Sequence, residues 1–326
     1  MPALDTLIPN LPFSGFMAGN SSERGIYVSP GARTILLCNS TSRTGDDPAV
    51  TARVYGGTQG TLAGAMALCR ANMGDTIFVL PGHSENVGAT ALANLVAGTR
   101  IIGVSTGGPN QDSAPTFTWN ATTSTWAISV KNVEISGLRL LMDGANGVTA
   151  PINITAAGCR LIGNYMRWSS GASNLATTAI TVGSGATDTV IAYNQVVGAA
   201  AGVCTDGIKL LGATTPDNTI IARNVMHAAC TAANGLINVT VAAINLFISD
   251  NVIENVTASS SVGILTGAVA CDGTCSGNLI TIKNTGTLTS GTVGIKIGAG
   301  TLMGFFNNQG VNDPVKSGIL LPSADT

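Results

Sequence analysis

Short apolar segments alternate with turns rich in glycine, asparagine, serine and threonine over most of the chain. An asparagine recurs beside these apolar segments, at spacings of 30, 30, 27, 27 and 30 residues. The recurring residues are Asn164, Asn194, Asn224, Asn251, Asn278 and Asn308. A period in this range is typical of a solenoid, in which each repeat forms one structural unit stacked on its neighbours.

A second column, in which a glycine precedes an apolar strand, keeps step with the asparagines. Its members are Gly207, Gly235, Gly263, Gly294 and Gly318. Two columns in phase predict at least two strands in each coil, and the length of the repeat leaves room for three. The pattern therefore predicts an all-β solenoid.

The chemistry of asparagine explains its recurrence at a turn. Asparagine tolerates a left-handed backbone better than most residues, and its amide both donates and accepts hydrogen bonds. Stacked in register, each amide can bond the one above and the one below. We therefore predict a structural asparagine ladder. Gly137 continues the series 27 residues before Asn164 and is assigned to the asparagine's position.

Residues 1–55 show neither period and are interpreted as an extended N-terminal arm. Prolines interrupt its beginning, and only residues 25–28 and 34–37 have the composition of short strands. An arm without a core of its own usually docks on a partner. The predicted contact residues are its apolar side chains Leu7, Ile8, Leu11, Phe13, Phe16 and Met17.

Residues 61–72 are rich in alanine, leucine and methionine, which predicts a helix, and an apolar strand ended by Pro81 and Gly82 follows. A helix here would cover the open sheet edge of the first coil. This succession resembles the N-terminal cap and first rung of right-handed parallel β-helix proteins of the pectate-lyase-like superfamily. The resemblance implies a right-handed parallel β-helix over residues 56–320, with a short capping helix near residues 61–72 and a tail at 321–326.

Composition narrows the range of partners. Charged residues are 10% of the chain, the net charge is −2, and no basic run provides a phosphate footprint, so nucleic acid is not expected. No apolar stretch approaches the roughly 20 residues of a membrane span. The first residues do not resemble a secretory signal. The seven cysteines are expected to be reduced thiols in a cytosol.

Cys271 and Cys275 could close a small disulfide loop or supply two metal ligands. No second Cys/His pair lies near them in the sequence, so no metal site is predicted. No glycine-rich segment has the context of a nucleotide-binding loop, and no cofactor is predicted.

The acidic and histidine residues do not assemble into a predicted catalytic site. Asp188 and Asp217 could be neighbours at one turn, while Asp272 lies further along the stack. We interpret them as turn formers, with a weak cation site or an acid–base pair as the alternative. His83 is predicted to be solvated or to cap a turn, and His227 to be a partly buried structural residue. No catalytic residue is predicted.

Aromatic residues are 4% of the chain, and the three tryptophans are predicted to pack in the core or at its edge. They are Trp119, Trp126 and Trp168. Few aromatic platforms remain on which sugars could stack.

The layout of an arm followed by a low-charge solenoid resembles head decoration or cement proteins of tailed bacteriophages. The resemblance implies a non-enzymatic virion protein on the capsid exterior, assembled in the host cytoplasm. Its arm would bind the major capsid protein, and a homo-oligomer such as a trimer is possible. The main alternative is a tailspike or fibre-type β-helix that binds or depolymerises host surface glycan. A secreted pectate-lyase-like enzyme is the third hypothesis.

Overall fold

The chain forms an all-β parallel solenoid of about seven turns, with one short helix. The structure is a computed structural model that describes residues 32–39, 58–88, 95–105, 108–171, 173–199, 204–230, 235–256, 262–267, 269–282, 293–298, 301–311, 318–319 and 323–324. The predicted arm contacts, from Leu7 to Met17, lie outside these residues. No helix in the described part of the chain has the length and hydropathy that a membrane crossing needs.

The strands are short, and their bounds follow in chain order. The first group is β1 (Thr34–Leu37), β2 (Thr58–Gln59), β3 (Thr76–Val79), β4 (Ser84–Val87), β5 (Arg100–Gly103), β6 (Thr116–Trp119), β7 (Trp126–Ile128), β8 (Glu134–Ser136), β9 (Arg139–Leu141) and β10 (Asn146–Val148). The second group is β11 (Ile152–Ile154), β12 (Arg160–Ile162), β13 (Tyr165–Ser169), β14 (Leu175–Ala176), β15 (Thr178–Val182), β16 (Val190–Ala192), β17 (Gln195–Gly198), β18 (Asp206–Leu210), β19 (Ile220–Ala222) and β20 (Val225–Ala228). The third group is β21 (Gly235–Val239), β22 (Ala243–Ser249), β23 (Val252–Asn255), β24 (Val262–Thr266), β25 (Cys271–Ser276), β26 (Leu279–Ile282), β27 (Val293–Ile297), β28 (Gly304–Phe306), β29 (Gln309–Val311), β30 (Gly318–Ile319) and β31 (Ser323–Ala324).

These strands form three sheets that run the length of the solenoid. The first sheet has the order β2-β1-β3-β5-β8-β12-β16-β19-β22-β25-β28. The second has the order β30-β29-β26-β23-β20-β17-β13-β9-β6-β4, with β14 attached to β13 and to β10. The third has the order β31-β27-β24-β21-β18-β15-β11-β7. Each complete turn contributes one strand to each sheet, so the predicted stacking is confirmed with three strands per coil.

The core lies between the three sheets and is built from residues that repeat at one position of successive coils. In the first sheet this position is apolar and fully buried over seven successive strands from β3 to β22, and its residues are Ile77, Ile101, Ile135, Leu161, Ile191, Ile221 and Ile248. Trp119, Trp126 and Trp168 are also fully buried, which confirms their predicted packing role. The rings of Trp119 and Trp126 lie 5.0 Å apart.

The glycine column predicted from the sequence is only partly correct. Gly207, Gly263 and Gly294 occupy equivalent positions in β18, β24 and β27 of the third sheet. Gly235 is offset by one residue, because Leu236 takes the equivalent position in β21. Gly318 lies in β30, which pairs antiparallel with β29 in the second sheet. A glycine before an apolar residue therefore does not by itself fix the register of a strand.

The N-terminal end of the solenoid is closed by a helix that is shorter than predicted. Helix α1 (Leu62–Ala67) contacts β1 and β2 and buries Leu62, Ala65 and Met66. It ends well before residue 72, because the Arg70 amide donates to Asp75 Oδ2 at 2.8 Å instead of to the helix. Strand β1 falls within the predicted arm, yet it pairs with β3 along its whole length and belongs to the solenoid.

Candidate functional site on the outer face of the first sheet

The six recurring asparagines lie in one buried column at the corner between the first and second sheets. The side-chain amide of each donates to the Oδ1 of the next, and that same oxygen accepts the backbone N–H of the preceding asparagine. The Nδ2–Oδ1 distances are 3.2 Å for Asn164–Asn194, 3.0 Å for Asn194–Asn224, 3.0 Å for Asn224–Asn251, 2.9 Å for Asn251–Asn278 and 2.8 Å for Asn278–Asn308. The column is therefore a continuous hydrogen-bonded ladder that holds the coils in register.

The left-handed backbone at this corner belongs to the residue before each asparagine. These residues have φ between 51° and 69°, and they are Gly137, Gly163, Tyr193, Arg223, Asp250, Gly277 and Asn307. The assignment of Gly137 to the asparagine position is therefore wrong. Gly137 is equivalent to Gly163, and Leu138 takes the ladder position, where its N–H donates to Asn164 Oδ1 at 3.0 Å. Glycine fits here because the turn requires a positive φ.

Asp188 and Asp217 lie at one turn, as the sequence suggested. The Asp188 N–H donates to the Asp217 carbonyl at 2.8 Å. Asp188 Oδ1 accepts from Asn218 Nδ2 at 3.0 Å, and Asp217 Oδ1 accepts from the Ile244 N–H at 2.8 Å. Asp272 Oδ1 accepts the Asn245 N–H at 2.5 Å one coil further on. Each carboxylate thus binds groups at the turns of neighbouring coils, an arrangement that is typical of turn-forming aspartates.

The two histidines have different surroundings from those predicted. His83 is buried, not solvated, and its ring lies 5.3 Å from that of Phe117. Its Nδ1 accepts the Asn39 N–H at 3.2 Å, so Nε2 carries the proton and faces Glu85 Oε2 at 3.1 Å. His227 is exposed and pairs with Glu254 of the next coil at 2.7 Å. Both side chains link neighbouring strands.

All seven cysteines are free thiols. Cys271 and Cys275 both lie in β25 with buried side chains, and they form no disulfide. The ladder residue Asn278 donates from Nδ2 to Cys275 Sγ at 3.4 Å. Burial raises the pKa of the Cys275 thiol to about 12, which keeps it protonated. Cys275 is therefore a core residue of the stack.

Asp75 anchors the N-terminal end of the solenoid. Its carboxylate accepts the Arg33 N–H at 2.6 Å, the Arg70 N–H at 2.8 Å and the Arg70 guanidinium at 2.9 Å. Burial raises the pKa of Asp75, but the hydrogen bonds from Arg70 and Arg33 outweigh burial, so the pKa lies below its ordinary value. A buried carboxylate with this many donors stays ionised and ties β1, α1 and β3 together.

The outer face of the first sheet carries the most unusual side chains. At one outward position, residues from six successive coils pair directly in register, and we call them the outer column. The outer column consists of Arg100, Glu134, Arg160, Val190, Ile220 and Phe247. Its N-terminal half is charged and its C-terminal half is apolar.

The charged half of the outer column lies along an open groove of about 570 Å³. Gly98 and Gly158 line the groove at left-handed turns, where a Cβ would press on Asn72 and Asn132 respectively. The guanidinium of Arg100 lies 3.4 Å from Glu134, with both side chains partly exposed. Arg160 is exposed and makes no ion pair among the described residues. The groove therefore offers a guanidinium to an incoming ligand.

The apolar half of the outer column is exposed to solvent. Ile220 is 36% exposed and Phe247 is 40% exposed, and Ile244, in the same strand as Phe247, is 50% exposed. These side chains cannot enter the core, since Ile221 and Ile248 occupy the inward positions of the same strands. The result is a contiguous apolar surface on a rigid sheet.

A second outward position runs parallel to the outer column, with Ile102 and Ile162 among its residues beside the charged half and small residues beside the apolar half. In the C-terminal half these are Ala192, Ala222 and Ser249, paired in register, and we call them the second column. Tyr193 rises on the far side of the second column, where the Arg223 guanidinium lies 5.5 Å from its ring centre. The second column is therefore the floor of a shallow channel between larger side chains.

Sequence reasoning missed the outer column, because its residues follow no single residue type. The signal available was a pair of adjacent apolar residues in one short strand, such as Ile220 and Ile221. One of each pair must face outward in a strand, but the sequence does not say which.

Comparisons with protein-family models, with curated proteins and with solved structures found no match for this chain. Within the described residues, histidine, cysteine, aspartate and glutamate side chains form no group of three that could hold a metal ion. The function is therefore argued from the geometry of the outer face.

Proposed function

We propose that the chain is a non-enzymatic structural protein whose solenoid binds a larger protein assembly through the outer face of the first sheet. The observation that carries the proposal is the apolar half of the outer column, where Ile220 and Phe247 pair directly and both lie exposed. Contiguous exposed apolar surface on a soluble chain usually marks a site of protein interaction.

The rigidity of the solenoid supports this role. The buried asparagine ladder and the continuous sheets fix the spacing of the outer side chains at about 4.8 Å from coil to coil. A surface that is already ordered loses little conformational entropy on binding, so more of its contact energy contributes to affinity. Such a face suits a permanent contact in an assembly.

The assembly that we propose is the head shell of a tailed bacteriophage, with the major capsid protein as the partner. The support for this finer proposal is the sequence resemblance to phage decoration proteins on the pectate-lyase-like fold. In that setting the N-terminal arm would add a second contact through its apolar residues. The outer face would then bridge neighbouring capsid subunits on the exterior of the virion.

The test is co-sedimentation of the purified chain with phage head shells stripped of their accessory proteins. The double variant Ile220→Ser with Phe247→Ser should bind at least about tenfold more weakly, since each loses buried apolar contact. The matched control is Val225→Ser with Val252→Ser on the second sheet, where the side chains are 49% and 42% exposed. This control should bind like the unmodified chain.

Deleting residues 1–30 tests the arm separately, with circular dichroism and thermal melting as checks of the fold. Loss of binding with an unchanged fold would support the arm as an anchor. Wild-type binding by the Ile220/Phe247 variant would rule out the outer face as the docking surface. Cleavage of host surface polysaccharide by the purified chain would overturn the non-enzymatic assignment and favour the tailspike alternative.

A further inference from the structure

The outer column changes character at one step, where Arg160 of β12 pairs directly with Val190 of β16. On one side lie Arg100 and Glu134, and on the other lie Ile220 and Phe247. Because the six positions form a straight row across neighbouring strands, one elongated partner element lying along the row would meet charge at one end and apolar surface at the other.

The charged end favours an acidic partner. Arg160 is exposed, and Lys131 is also exposed, with its carbonyl accepting the Gly98 N–H in the wall of the groove at 2.9 Å. Arg100 and Arg160 both line the groove, where Glu134 is the one carboxylate among the lining residues, in a chain whose net charge is −2. Carboxylates of a partner suit these arginines, because a carboxylate and a guanidinium group match in a planar geometry with two parallel hydrogen bonds.

The spacing of the outer column distinguishes a helix from an extended strand. Six positions at the interstrand distance of about 4.8 Å span about 24 Å. An α-helix presents one side chain per turn at about 5.4 Å, or about 27 Å over the same number of steps. An extended chain presents alternate residues at about 6.6 Å, or about 33 Å, and falls out of step after two or three coils. A helix stays in step.

The channel beside the outer column is a surface on which such a helix can bind. The small side chains of Ala192, Ala222 and Ser249 form its floor, and Tyr193, which is 48% exposed, stands on its far side. These small residues allow a helix to approach the sheet closely over the apolar half, whereas Ile162 at the same position holds it further out beside Arg160. The apolar side chains of Ile220 and Phe247 would then contact the apolar stripe of the helix.

We propose that this channel binds an amphipathic α-helix of a partner protein, with acidic turns against Arg100 and Arg160 and apolar turns against Ile220 and Phe247. The inference rests on the proposed protein-binding function and names the segment that the outer face recognises. Acidic residues stabilise the N-terminal end of a helix. The helix therefore begins near Arg100 and ends near Phe247.

The probe is a labelled synthetic peptide of about 20 residues, enough for five turns, with glutamates on one face of the first two turns and leucines on that face of the last three. Binding to the full chain is measured by fluorescence anisotropy. The control peptide has the same composition with the leucine turns first. We expect the first peptide to bind at least about tenfold more tightly, and the preference to shrink at high salt.

Two pairs of variants locate the contact. Arg160→Glu should weaken peptide binding about tenfold, whereas Arg160→Lys, which keeps the charge, should retain most of it. Ile220→Ser should weaken binding, whereas the matched Val225→Ser on the second sheet should not. Circular dichroism and thermal melting show whether each variant keeps its fold, and all three positions are exposed strand residues.

Three results would overturn the inference. The first is equal binding of the two peptides, and the second is peptide binding that is indifferent to both Arg160→Glu and Ile220→Ser. The third is binding of an acidic oligosaccharide, lost in Arg160→Glu but kept in Ile220→Ser, with no peptide binding. If the peptide fails but the Ile220/Phe247 variant still loses shell binding, only the helix is wrong and the proposed function stands.

Discussion

Asn224 donates twice to Asn251, because its backbone N–H and its side-chain Nδ2 both lie 3.0 Å from Asn251 Oδ1. One oxygen thus binds the backbone and the side chain of the coil before it, while Asn251 Nδ2 binds the coil after it. The repetition of this contact through six asparagines makes the stack cooperative, since each side chain satisfies buried groups on both neighbours.

Replacement of one ladder residue should therefore be costly. Asn251→Ala removes the acceptor of two Asn224 donors and the donor to the Ile221 carbonyl and to Asn278 Oδ1, and Asn224 Nδ2 keeps only its bond to the Ile191 carbonyl. We expect the free energy of unfolding to fall by about 3 kcal/mol. Urea denaturation followed by circular dichroism measures this. Asn120→Ala at an exposed position is the control and should change stability by less than about 0.5 kcal/mol. Equal changes in the free energy of unfolding for Asn251→Ala and Asn120→Ala would contradict the role of the ladder.

The buried carboxylate of Asp75 should make stability depend on pH. Its pKa is lower in the folded chain than in the unfolded chain, where it is about 3.9. Its contribution is therefore fully present above the unfolded pKa and is lost as the pH falls through the folded pKa. Asp75→Asn should lower the urea midpoint at pH 7, and the difference from the unmodified chain should shrink below about pH 4. A difference that stays constant from pH 3 to pH 7 would exclude this linkage.

The left-handed corner before the ladder should tolerate glycine better than alanine. Gly163 has a φ of 64°, a region in which a Cβ costs about 1 kcal/mol. Gly163→Ala should destabilise the chain by about that amount in urea denaturation. The matched control is Gly88→Ala, because a Cβ at Gly88 meets nothing within 4 Å. A larger loss of stability for Gly88→Ala than for Gly163→Ala would contradict the argument from backbone conformation.

Thiol labelling should follow burial. The pKa of Cys69 is raised to about 11, chiefly by burial, and that of Cys230 to about 12 for the same reason. Only Cys69 of these two is partly exposed. Iodoacetamide at pH 8 should therefore modify Cys69 slowly and Cys230 only after unfolding in urea. Mass spectrometry of the labelled peptides gives the order, and early modification of Cys230 in the native chain would contradict its burial.

The stacking of the chain could be predicted from the sequence because the ladder asparagines recur at fixed spacing. A buried amide between two coils must find its partner one repeat away, so Asn194 and Asn224 had to lie at equivalent positions. The exact register was less secure. Gly137 and Gly235 were both misplaced by one residue, because glycine suits several turn positions equally well.

The end of helix α1 and the place of β1 depended on contacts with residues outside those segments. Asp75 ends the helix by capturing the Arg70 amide, and Thr34–Leu37 joins the solenoid because β3 offers an unpaired edge. Asp75 lies five residues after Arg70 but outside the segment whose composition predicted the helix, and β3 is far from β1 in the sequence, so local composition predicted a longer helix and a longer arm.

The period of the sequence by itself determined that the coils stack. When the backbone repeats, a residue that recurs at the same spacing lies directly against its equivalent in the next coil. Only the tertiary structure decided that Ile221 fills the core while Ile220 faces solvent, and that Arg160 precedes Val190 in one outward row. The physical reason is that adjacent strand residues face opposite ways, and a shift of one residue exchanges inside for outside. The position of the corner in each coil fixes which residue faces the core. That position is settled only when all the turns pack together.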